Sequence, residues 1–372
     1  MPSFPRFSTL ARDLPTTVPF VGPEAIERNR HLQVKARIGA NESGFGPAPS
    51  VKAAMIAAIE ETWKYTDPEN FDLREAIARH HGVGRDQINI GVGIDGILGE
   101  IVRLIIEPGM PVVTSLGGYP TFNYHVVGFG GRLVTVPYKD DREDYEGLLD
   151  AVRRENAPLV YLANPDNPMG STISAEQVLA FARAVPERTM LILDEAYGET
   201  APAGVIPPAD ALIDRPNVIR TRTFSKAYGL AGSRIAYVIA HEDTARAFDK
   251  IRNHFGLNRI GVAAAMAALE DQAYLREVVG KIVAARGRIS AIARANGLDP
   301  LPSATNFVAI DCHRDGVYSR AIVDGLMEEG VFIRMPGVAP LNRCIRVSTG
   351  PEKEMDLFEE ALPKVLKRLG NM

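Results

Sequence analysis

Short apolar runs alternate with stretches of helical periodicity through the middle of the chain, and this alternation predicts the fold. The runs have the length and apolar character of buried strands, and many are followed by an amphipathic stretch that predicts a helix. Ser174 and Gln177 have the S-x-x-Q spacing of a capping box and mark the start of one such helix. A strand-helix-strand rhythm favours a mostly parallel sheet covered by helices on both faces. The predicted strands are 88–92, 112–115, 133–136, 159–162, 190–193, 218–221 and 235–239.

The pattern changes near Asn253, and the rest of the chain predicts a smaller α+β unit. A final helix is expected after Pro351, and Pro363 is expected to kink that helix or to end it early. The other predicted elements of this unit are a helix over 274–296, a strand over 306–311, a helix around 321–329, and strands over 331–334 and 344–348.

The first 45 residues are rich in proline and glycine and have no clear period, so they predict an arm. The first helix of the main body is expected to have Ser50 as its N-cap. The fold class is therefore α/β, and three parts are expected. Residues 1–45 form an arm that packs with the small domain, residues 46–255 form a large domain with a mostly parallel seven-stranded sheet flanked by helices, and residues 256–372 form a small α+β domain.

The composition excludes several classes of protein. The chain has 372 residues, of which 46% are hydrophobic and 24% charged, and a net charge of −4; these values are typical of a globular protein and not of a disordered, collagen-like or coiled-coil chain. It has neither the basic excess of a nucleic-acid-binding protein nor an apolar run long enough to span a bilayer. Residues 1–20 lack the apolar block of a signal peptide, and Cys312 and Cys344 define neither a disulfide framework nor a metal site. We expect a cytoplasmic protein.

Residues able to bind a cofactor follow four of the predicted strands. The glycine turn 91–96 (G-V-G-I-D-G) follows the first, and the segment 164–170 (N-P-D-N-P-M-G) follows the fourth. The fifth and sixth strands are followed by 194–197 (D-E-A-Y) and 223–226 (T-F-S-K). In open α/β sheets, ligands bind outside the carboxyl ends of the strands. We therefore expect these four segments to converge on one crevice.

The residue types in this crevice suit pyridoxal phosphate. A lysine in a polar cleft can form a Schiff base with an aldehyde cofactor, and this role falls to Lys226. Asp194 could hold the ring nitrogen protonated, and Asn167 and Tyr197 could hydrogen-bond the 3′ oxygen of the ring. A helix N-terminus with hydroxyl groups and an arginine nearby could bind the phosphate. The candidates for the phosphate site are Ile94, Asp95, Gly96, Thr223, Ser225 and Arg234.

With these residues in place, the sequence resembles the fold-type I pyridoxal-phosphate aminotransferases, and most of all their histidinol-phosphate aminotransferase branch. The resemblance extends from residue 39 to residue 350. Its most specific element is 223–234 (T-F-S-K-A-Y-G-L-A-G-S-R), which matches the lysine loop of the family. The segment 164–170 matches the N-P-x-N-P-x-G element, with Met169 where threonine is usual.

The resemblance implies roles for further residues. Phe122, in the P-T-F element at 120–122, occupies the position of an aromatic residue that stacks on the cofactor ring. Tyr65 occupies the position of a tyrosine that reaches the cofactor phosphate of the neighbouring subunit, which implies a homodimer. Two late arginines fall where the branch binds the acid group and a second anionic group of its substrate. The implied substrate-binding residues are Arg346, Arg334, Phe20 and Asn306.

The implied reaction moves an amino group from a donor, with histidinol phosphate favoured, to a 2-oxo acid, with 2-oxoglutarate expected. Lys226 would move the proton of the substrate. Two positions depart from the branch: Phe20 stands where a tyrosine is usual, and Gly96 stands where an acid is common. Because Phe20 makes the pocket less polar, an aromatic amino acid is an alternative donor. A decarboxylase of the threonine-phosphate type is a more distant alternative.

Two further readings come from other classes. The spacing G-x-G-x-x-G at 91–96 formally fits a dinucleotide-binding fingerprint, as in a nicotinamide-dependent dehydrogenase. However, the next predicted strand ends in Gly117 and Gly118, without the acid that would bind the ribose. A cofactor-binding regulator without enzymatic activity would need a DNA-reading module, and the sequence has no helix-turn-helix extension or basic patch. Both readings are disfavoured.

Overall fold

The computed structural model describes residues 7–16 and 21–370. The α-helices are α1 Thr9–Asp13, α2 Pro23–Arg30, α3 Pro49–Ile59, α4 Phe71–His81, α5 Gly93–Ile105, α6 Pro120–Gly128, α7 Tyr145–Glu155, α8 Ala175–Ala184, α9 Glu242–Ala247, α10 Arg259–Glu270, α11 Gln272–Ala295, α12 Gly316–Glu328 and α13 Glu352–Gly370. The strands are β1 Ala36–Arg37, β2 Ile88–Val92, β3 Pro111–Ser115, β4 Arg132–Val136, β5 Leu159–Ala163, β6 Met190–Asp194, β7 Val218–Thr223, β8 Ile235–Ala240, β9 Asp299–Pro300, β10 Phe307–Asp311, β11 Val331–Phe332 and β12 Cys344–Ser348. None of these helices is long and apolar enough to cross a membrane.

The seven predicted strands form one sheet, in the order β2-β8-β7-β6-β5-β3-β4. β8 pairs antiparallel with both β2 and β7, and the other neighbouring strands of this sheet pair in parallel. The α/β fold class with a mostly parallel seven-stranded sheet is therefore confirmed. Every residue of β5 and of β7 is buried, because helices cover both faces of the sheet. This burial explains why β5 reads as a continuous apolar run and not as an alternating pattern. β7 is equally buried but carries two arginines, Arg220 and Arg222.

A smaller unit is built on the three-stranded antiparallel sheet β12-β10-β9. Its core also contains Ala36 and Ile38, which lie near the N-terminus and are fully buried together with Phe358 and Leu362 of α13. The short strands β1 and β11 pair in parallel and connect the arm with this unit. Residues from both ends of the chain therefore share one core.

Helix α10 packs with the large domain. Ala264 and Ala268 share a core with Val51 of α3 and Ile77 of α4. This packing favours a boundary between α10 and α11, later than the predicted boundary at residue 255. The division into domains otherwise stays a prediction.

The starts of two helices test the capping predictions. Ser174 accepts a hydrogen bond from the backbone N–H of Gln177, and the reciprocal bond is also present, so this capping box is confirmed. The prediction for Ser50 is wrong, because α3 begins earlier, at Pro49. The hydroxyl of Ser50 instead donates to Oδ2 of Asp271 at 2.6 Å. A proline at the first helical position has no N–H that needs a cap, so the helix can begin there.

The prediction that Pro363 ends the last helix early is also wrong. Helix α13 continues through Pro363 to Gly370. Pro363 is exposed, whereas Phe358, Leu362 and Val365 are buried in one core on the opposite side. Because proline has no N–H, one backbone carbonyl of the helix lacks its usual partner, and water can solvate it on the exposed face. Packing of the apolar face stabilises the helix on both sides of Pro363.

A buried ion network fixes the loop after β6. Arg220 and Arg222, on β7, contact Glu195 at 2.8 Å and 3.3 Å, and Arg222 also contacts Glu199 at 2.8 Å. The guanidinium of Arg220 additionally donates to the backbone carbonyls of residues 207–209. All these side chains are buried or nearly so. The network therefore holds the segment that immediately follows Asp194 against the neighbouring strand.

Removal of the Arg220 side chain is predicted to destabilise the protein far more than removal of a surface arginine. Arg220→Ala leaves the Glu195 carboxylate buried without its main partner, so the free energy of unfolding should fall by about 3–5 kcal/mol. Arg288→Ala is a matched control, since Arg288 also contacts two carboxylates, those of Asp356 and Glu359, but at the surface. Such exposed pairs contribute about 1 kcal/mol or less. Denaturant unfolding measures both losses, and equal losses would contradict the prediction.

Candidate active site

A cavity of about 360 Å³ lies at the carboxyl ends of β5, β6 and β7, beside the start of α5. Each of the four segments singled out from the sequence contributes at least one residue to its wall. A larger cavity of about 850 Å³ opens beside it and shares Asp95, Tyr119, Asn167 and Lys226 with it. The predicted site residues that line the first cavity are Ile94, Asp95, Asn167, Asp194, Tyr197, Thr223, Ser225, Lys226 and Arg234.

Lys226 provides a partly buried amine in the wall of both cavities. Its Nζ lies 3.3 Å from the backbone oxygen of Asn41 and 5.5 Å from the ring centroid of Tyr197. Burial, assisted by the positive charge of Arg346, lowers the pKa of Lys226 to about 8. Because the neutral amine is the nucleophile, this lowered pKa makes Lys226 reactive near neutral pH.

Asp194 provides a buried carboxylate at the end of β6. Its two oxygens accept hydrogen bonds from the hydroxyl of Tyr161 at 2.6 Å and from the backbone N–H of Ala196 at 2.9 Å. Burial raises the pKa of Asp194. Within the described residues, the ion pairs do not include Asp194. A buried carboxylate that is hydrogen-bonded but has no cation beside it suits a cationic ligand such as a protonated pyridine ring.

Arg346 and Arg334 provide a pair of guanidinium groups in the wall of the larger cavity. Their backbones are hydrogen-bonded to each other, and Nη1 of Arg346 donates to Oδ1 of Asn167 at 2.5 Å. Burial lowers the pKa of Arg346 to about 10 and also lowers the pKa of Arg334. Across residues 7–16 and 21–370, no carboxylate forms a salt bridge with Arg346, and its Nε is buried without a hydrogen-bond partner. These groups therefore suit an anionic ligand.

The start of α5 and the loop after β7 form a wall suited to phosphate. Gly93 has a left-handed φ of +71°, and a Cβ at this position would lie 2.1 Å from Nη2 of Arg234. Only glycine lets the guanidinium approach the helix start so closely. Nη1 of Arg234 donates to Oγ of Ser225 at 3.4 Å, and Oγ1 of Thr223 lies 3.0 Å from the same oxygen. Helix amides, two hydroxyls and a guanidinium together can bind a phosphate group.

The structure corrects the role expected for Phe122. This residue is fully buried in α6, with its ring stacked on that of Tyr161 at 4.7 Å between centroids, and it lines neither cavity. Tyr119 lines both cavities instead and donates its hydroxyl to Oδ1 of Asp95 at 2.6 Å. The reason is that α6 begins at Pro120, which turns Phe122 towards the core. The strand-end rule indicates Tyr119, because β3 ends at Ser115 just before it.

Three other candidates, Asn306, Gly96 and Tyr65, line neither cavity, and the place of a fourth is not described. Asn306 is fully buried and donates to the backbone oxygen of Asn41, and it lines neither cavity, so its predicted role towards the substrate stays a prediction. Gly96 lies in the first turn of α5 without lining a cavity. The side chain of Tyr65 is on the surface, with 78% of the residue exposed. Phe20 lies outside the described residues.

Comparison with known proteins decides the family. Residues 34–362 match the sequence model of the family "Aminotransferase class I and II". The chain belongs to this aminotransferase family. A histidinol-phosphate aminotransferase of Sinorhizobium meliloti, crystallised in complex with pyridoxal-5′-phosphate, is 67% identical, covers 99% of both chains and superposes with a TM-score of 0.97. Histidinol-phosphate aminotransferases of a Geobacillus species and of Mesorhizobium japonicum are 32% and 35% identical, over 96% and 89% of this chain and 98% and 90% of theirs.

The aminotransferase family excludes the dinucleotide reading of the glycine turn 91–96. This turn follows β2, which lies at the edge of the sheet and pairs antiparallel with β8. A dinucleotide fingerprint instead belongs to a strand of a parallel βαβ unit. In this aminotransferase Gly93 of the turn allows the guanidinium of Arg234 to approach the start of α5. The nicotinamide alternative is therefore wrong.

Lys226 of the cofactor-free aminotransferase is predicted to react with a simple aldehyde with a midpoint near pH 8, below the ordinary lysine value of 10.5. Labelling should increase with pH through this midpoint, because deprotonation produces the reactive amine. Arg346→Gln removes a neighbouring positive charge and should raise the midpoint. Propanal labelling, borohydride reduction and mass spectrometry of the peptide that contains Lys226 measure it. A midpoint near 10.5 in the unsubstituted protein would contradict the prediction.

Proposed function

We propose that this aminotransferase binds pyridoxal phosphate and transfers the amino group of histidinol phosphate to a 2-oxo acid, with 2-oxoglutarate as the expected acceptor. The observation that carries the proposal is that a partly buried lysine amine, a buried carboxylate that forms no ion pair within the described residues, and a wall suited to phosphate surround one cavity. The 67% identical aminotransferase of Sinorhizobium meliloti, which was crystallised with this cofactor, supports the assignment.

The residues present fit pyridoxal phosphate in each of its parts. The Asp194 carboxylate would bind the ring nitrogen, and Asn167 and Tyr197 would bind the 3′ oxygen of the ring. The first turn of α5, with Ser225 and Arg234, would bind the phosphate. When bound, the cofactor supplies a ring that withdraws electrons from the α-carbon of the substrate.

Lys226 supplies the group that moves the proton. Its pKa of about 8 leaves a substantial fraction of neutral amine at neutral pH. Nζ could therefore accept the proton of the substrate α-carbon and would donate it, within the same half-reaction, to the cofactor carbon that receives the amino group; in the second half-reaction it would move a proton in the reverse direction.

The two neighbouring arginines account for the substrate class. Histidinol phosphate carries a phosphate group and 2-oxoglutarate carries carboxylates, so both substrates present an anion. Arg346 and Arg334 line the cavity next to Lys226, and a guanidinium binds phosphate or carboxylate equally well through two parallel hydrogen bonds. One pair of arginines can thus serve both half-reactions.

We also propose a homodimer in which Tyr65 reaches the cofactor phosphate of the neighbouring subunit. Tyr65 lines neither of the two cavities described above. Its ring lies 4.9 Å from that of Phe255, and the apolar side chains of Ile56, Ile59 and Trp63, which precede it in the chain, are also exposed, with exposed fractions of 51% to 79%. A patch of this kind on a soluble protein is typical of a subunit interface, and a second copy of this chain would cover it.

A cytoplasmic location stays a prediction. Cys312 and Cys344 are both free and buried, as is usual for a protein in a reducing compartment. Burial raises the pKa of both thiols, which keeps them in the unreactive protonated form. Fractionation of the producing cells would test the location.

Lys226→Ala is predicted to abolish transamination of histidinol phosphate with 2-oxoglutarate, because the amine that holds the cofactor and moves the proton is removed. Lys250→Ala is the control, since it removes a lysine outside the cavities and should leave turnover unchanged. The unsubstituted enzyme is assayed with histidinol phosphate, phenylalanine and tyrosine as donors. Turnover in Lys226→Ala would overturn the mechanism, and a preference for an aromatic amino acid would overturn the proposed substrate.

Subunits with different substitutions are predicted to complement each other. A hybrid of Lys226→Ala with Tyr65→Ala contains one site that has both native side chains, if Tyr65 serves the opposite subunit. Random mixing of equal amounts should therefore restore about a quarter of the activity per subunit. Unfolding and refolding the mixture, followed by the transamination assay, measures this recovery. A mixture no more active than the average of its two parents would contradict the proposed role of Tyr65.

A further inference from the structure

Asn41 lies where the arm, the large sheet and the smaller unit meet, and it is almost fully buried. Its backbone adopts a left-handed φ of +56°. Its backbone oxygen accepts a hydrogen bond from Nδ2 of Asn306 at 3.0 Å and lies 3.3 Å from Nζ of Lys226. Its side chain contacts Ser348 of β12 and Tyr197 of the loop after β6. Asn41 thus connects the smaller unit with the cofactor cavity.

Ser348 fixes which way the Asn41 amide points. The Ser348 hydroxyl accepts a hydrogen bond from the backbone N–H of Asn41 at 3.0 Å and donates to Oδ1 of Asn41 at 2.9 Å. Rotation of the amide by 180° would leave the hydroxyl hydrogen of Ser348 without an acceptor in the described part of the chain. Ser348 is only 1% exposed, so water could not replace the lost acceptor. The amide nitrogen of Asn41 is therefore directed away from Ser348.

That nitrogen determines what the Tyr197 hydroxyl can do. Nδ2 of Asn41 donates to the Tyr197 hydroxyl oxygen at 2.9 Å. An amide NH₂ group is a donor only, so Tyr197 must act as the acceptor in this contact. The phenolic hydrogen then points elsewhere, and residues 7–16 and 21–370 offer it no recorded acceptor. Tyr197 lines the first cavity, and its ring is held edge-on against Phe307 at 5.5 Å.

We propose that Ser348 and Asn41 are positioning residues that make Tyr197 a hydrogen-bond donor to the 3′ oxygen of the cofactor ring. This inference rests on the proposed function, since it needs pyridoxal phosphate in the cavity. The three groups form a chain in which Ser348 sets the amide of Asn41, and the amide sets the phenol of Tyr197. Neither Ser348 nor the Asn41 side chain needs to contact the cofactor.

The visible absorbance of the bound cofactor reports this hydrogen bond. A hydrogen-bond donor at the ring oxygen lowers the pKa of basic groups that are conjugated with that oxygen. Loss of the donor should therefore raise this pKa, which is measured as the midpoint pH of the absorbance change. Ser348→Ala lets the Asn41 amide turn its oxygen towards Tyr197, which draws the phenolic hydrogen away from the cavity. The midpoint pH of the absorbance change should then rise by about half a unit to one unit, the equivalent of one hydrogen bond.

Three further variants separate positioning from a general structural effect. Ser348→Thr keeps the hydroxyl and should keep the midpoint of the unsubstituted enzyme. Ser43→Ala is the matched control, because it removes a buried serine hydroxyl near Asn41 that has no recorded hydrogen-bond partner. Tyr197→Phe should raise the midpoint by itself, and Ser348→Ala should add no further rise in that background, since its effect passes through the Tyr197 hydroxyl.

The experiment titrates the purified proteins, saturated with pyridoxal phosphate, by visible absorbance across pH. The proposal is supported if Ser348→Ala raises the midpoint pH, whereas Ser348→Thr and Ser43→Ala leave it unchanged. In the Tyr197→Phe background, Ser348→Ala should cause no further rise. An unchanged midpoint in Ser348→Ala, or an equal rise in the Tyr197→Phe background, overturns the proposal. If the unsubstituted protein shows no pH-dependent visible band with the cofactor, the proposed function itself fails, which is a separate outcome.

Discussion

The hydrogen-bonded register of three parallel strands places the reactive groups of this aminotransferase relative to one another. β5, β6 and β7 end side by side, with Ala163 opposite Asp194 and Asp194 opposite Thr221. Each loop that leaves this edge starts from a position fixed by backbone hydrogen bonds. The amide, the phenol and the amine in the cavity wall are carried by these loops. Because helices cover both faces of the sheet, the edge is rigid where the loops begin.

Burial then gives these groups their chemical character. It raises the pKa of Asp194 and lowers the pKa values of Lys226 and Arg346, so each group is pushed towards its neutral form. Keeping the buried carboxylate and guanidinium charged costs desolvation free energy, and a ligand with charges of both signs offsets this cost for both groups. The lysine, which gains no such partner, remains a neutral amine. The same desolvation therefore selects the ligand and activates the nucleophile.

The strands and the residues directly after them could be predicted because both depend on local sequence. Asp194 and Lys226 were found this way. The burial of the Phe122 side chain in the core could not be predicted, because it depends on the residue at which α6 begins. Asn41 forms contacts with a residue 307 positions away, and no local pattern encodes such a contact. Pro363 was misjudged because packing of the opposite helix face outweighs its local preference.

The core of the smaller unit combines residues from an early and a late part of the chain, and this affects when its contacts can form during synthesis. Ile38 is buried there against residues of α13, and its backbone oxygen accepts a hydrogen bond from Ser348 at 2.8 Å. During translation the segment around Ile38 leaves the ribosome long before those partners are synthesised. The large sheet is complete by residue 240 and can fold in the interval. The segment around Ile38 can thus complete these contacts only after Ser348 and α13 have been synthesised.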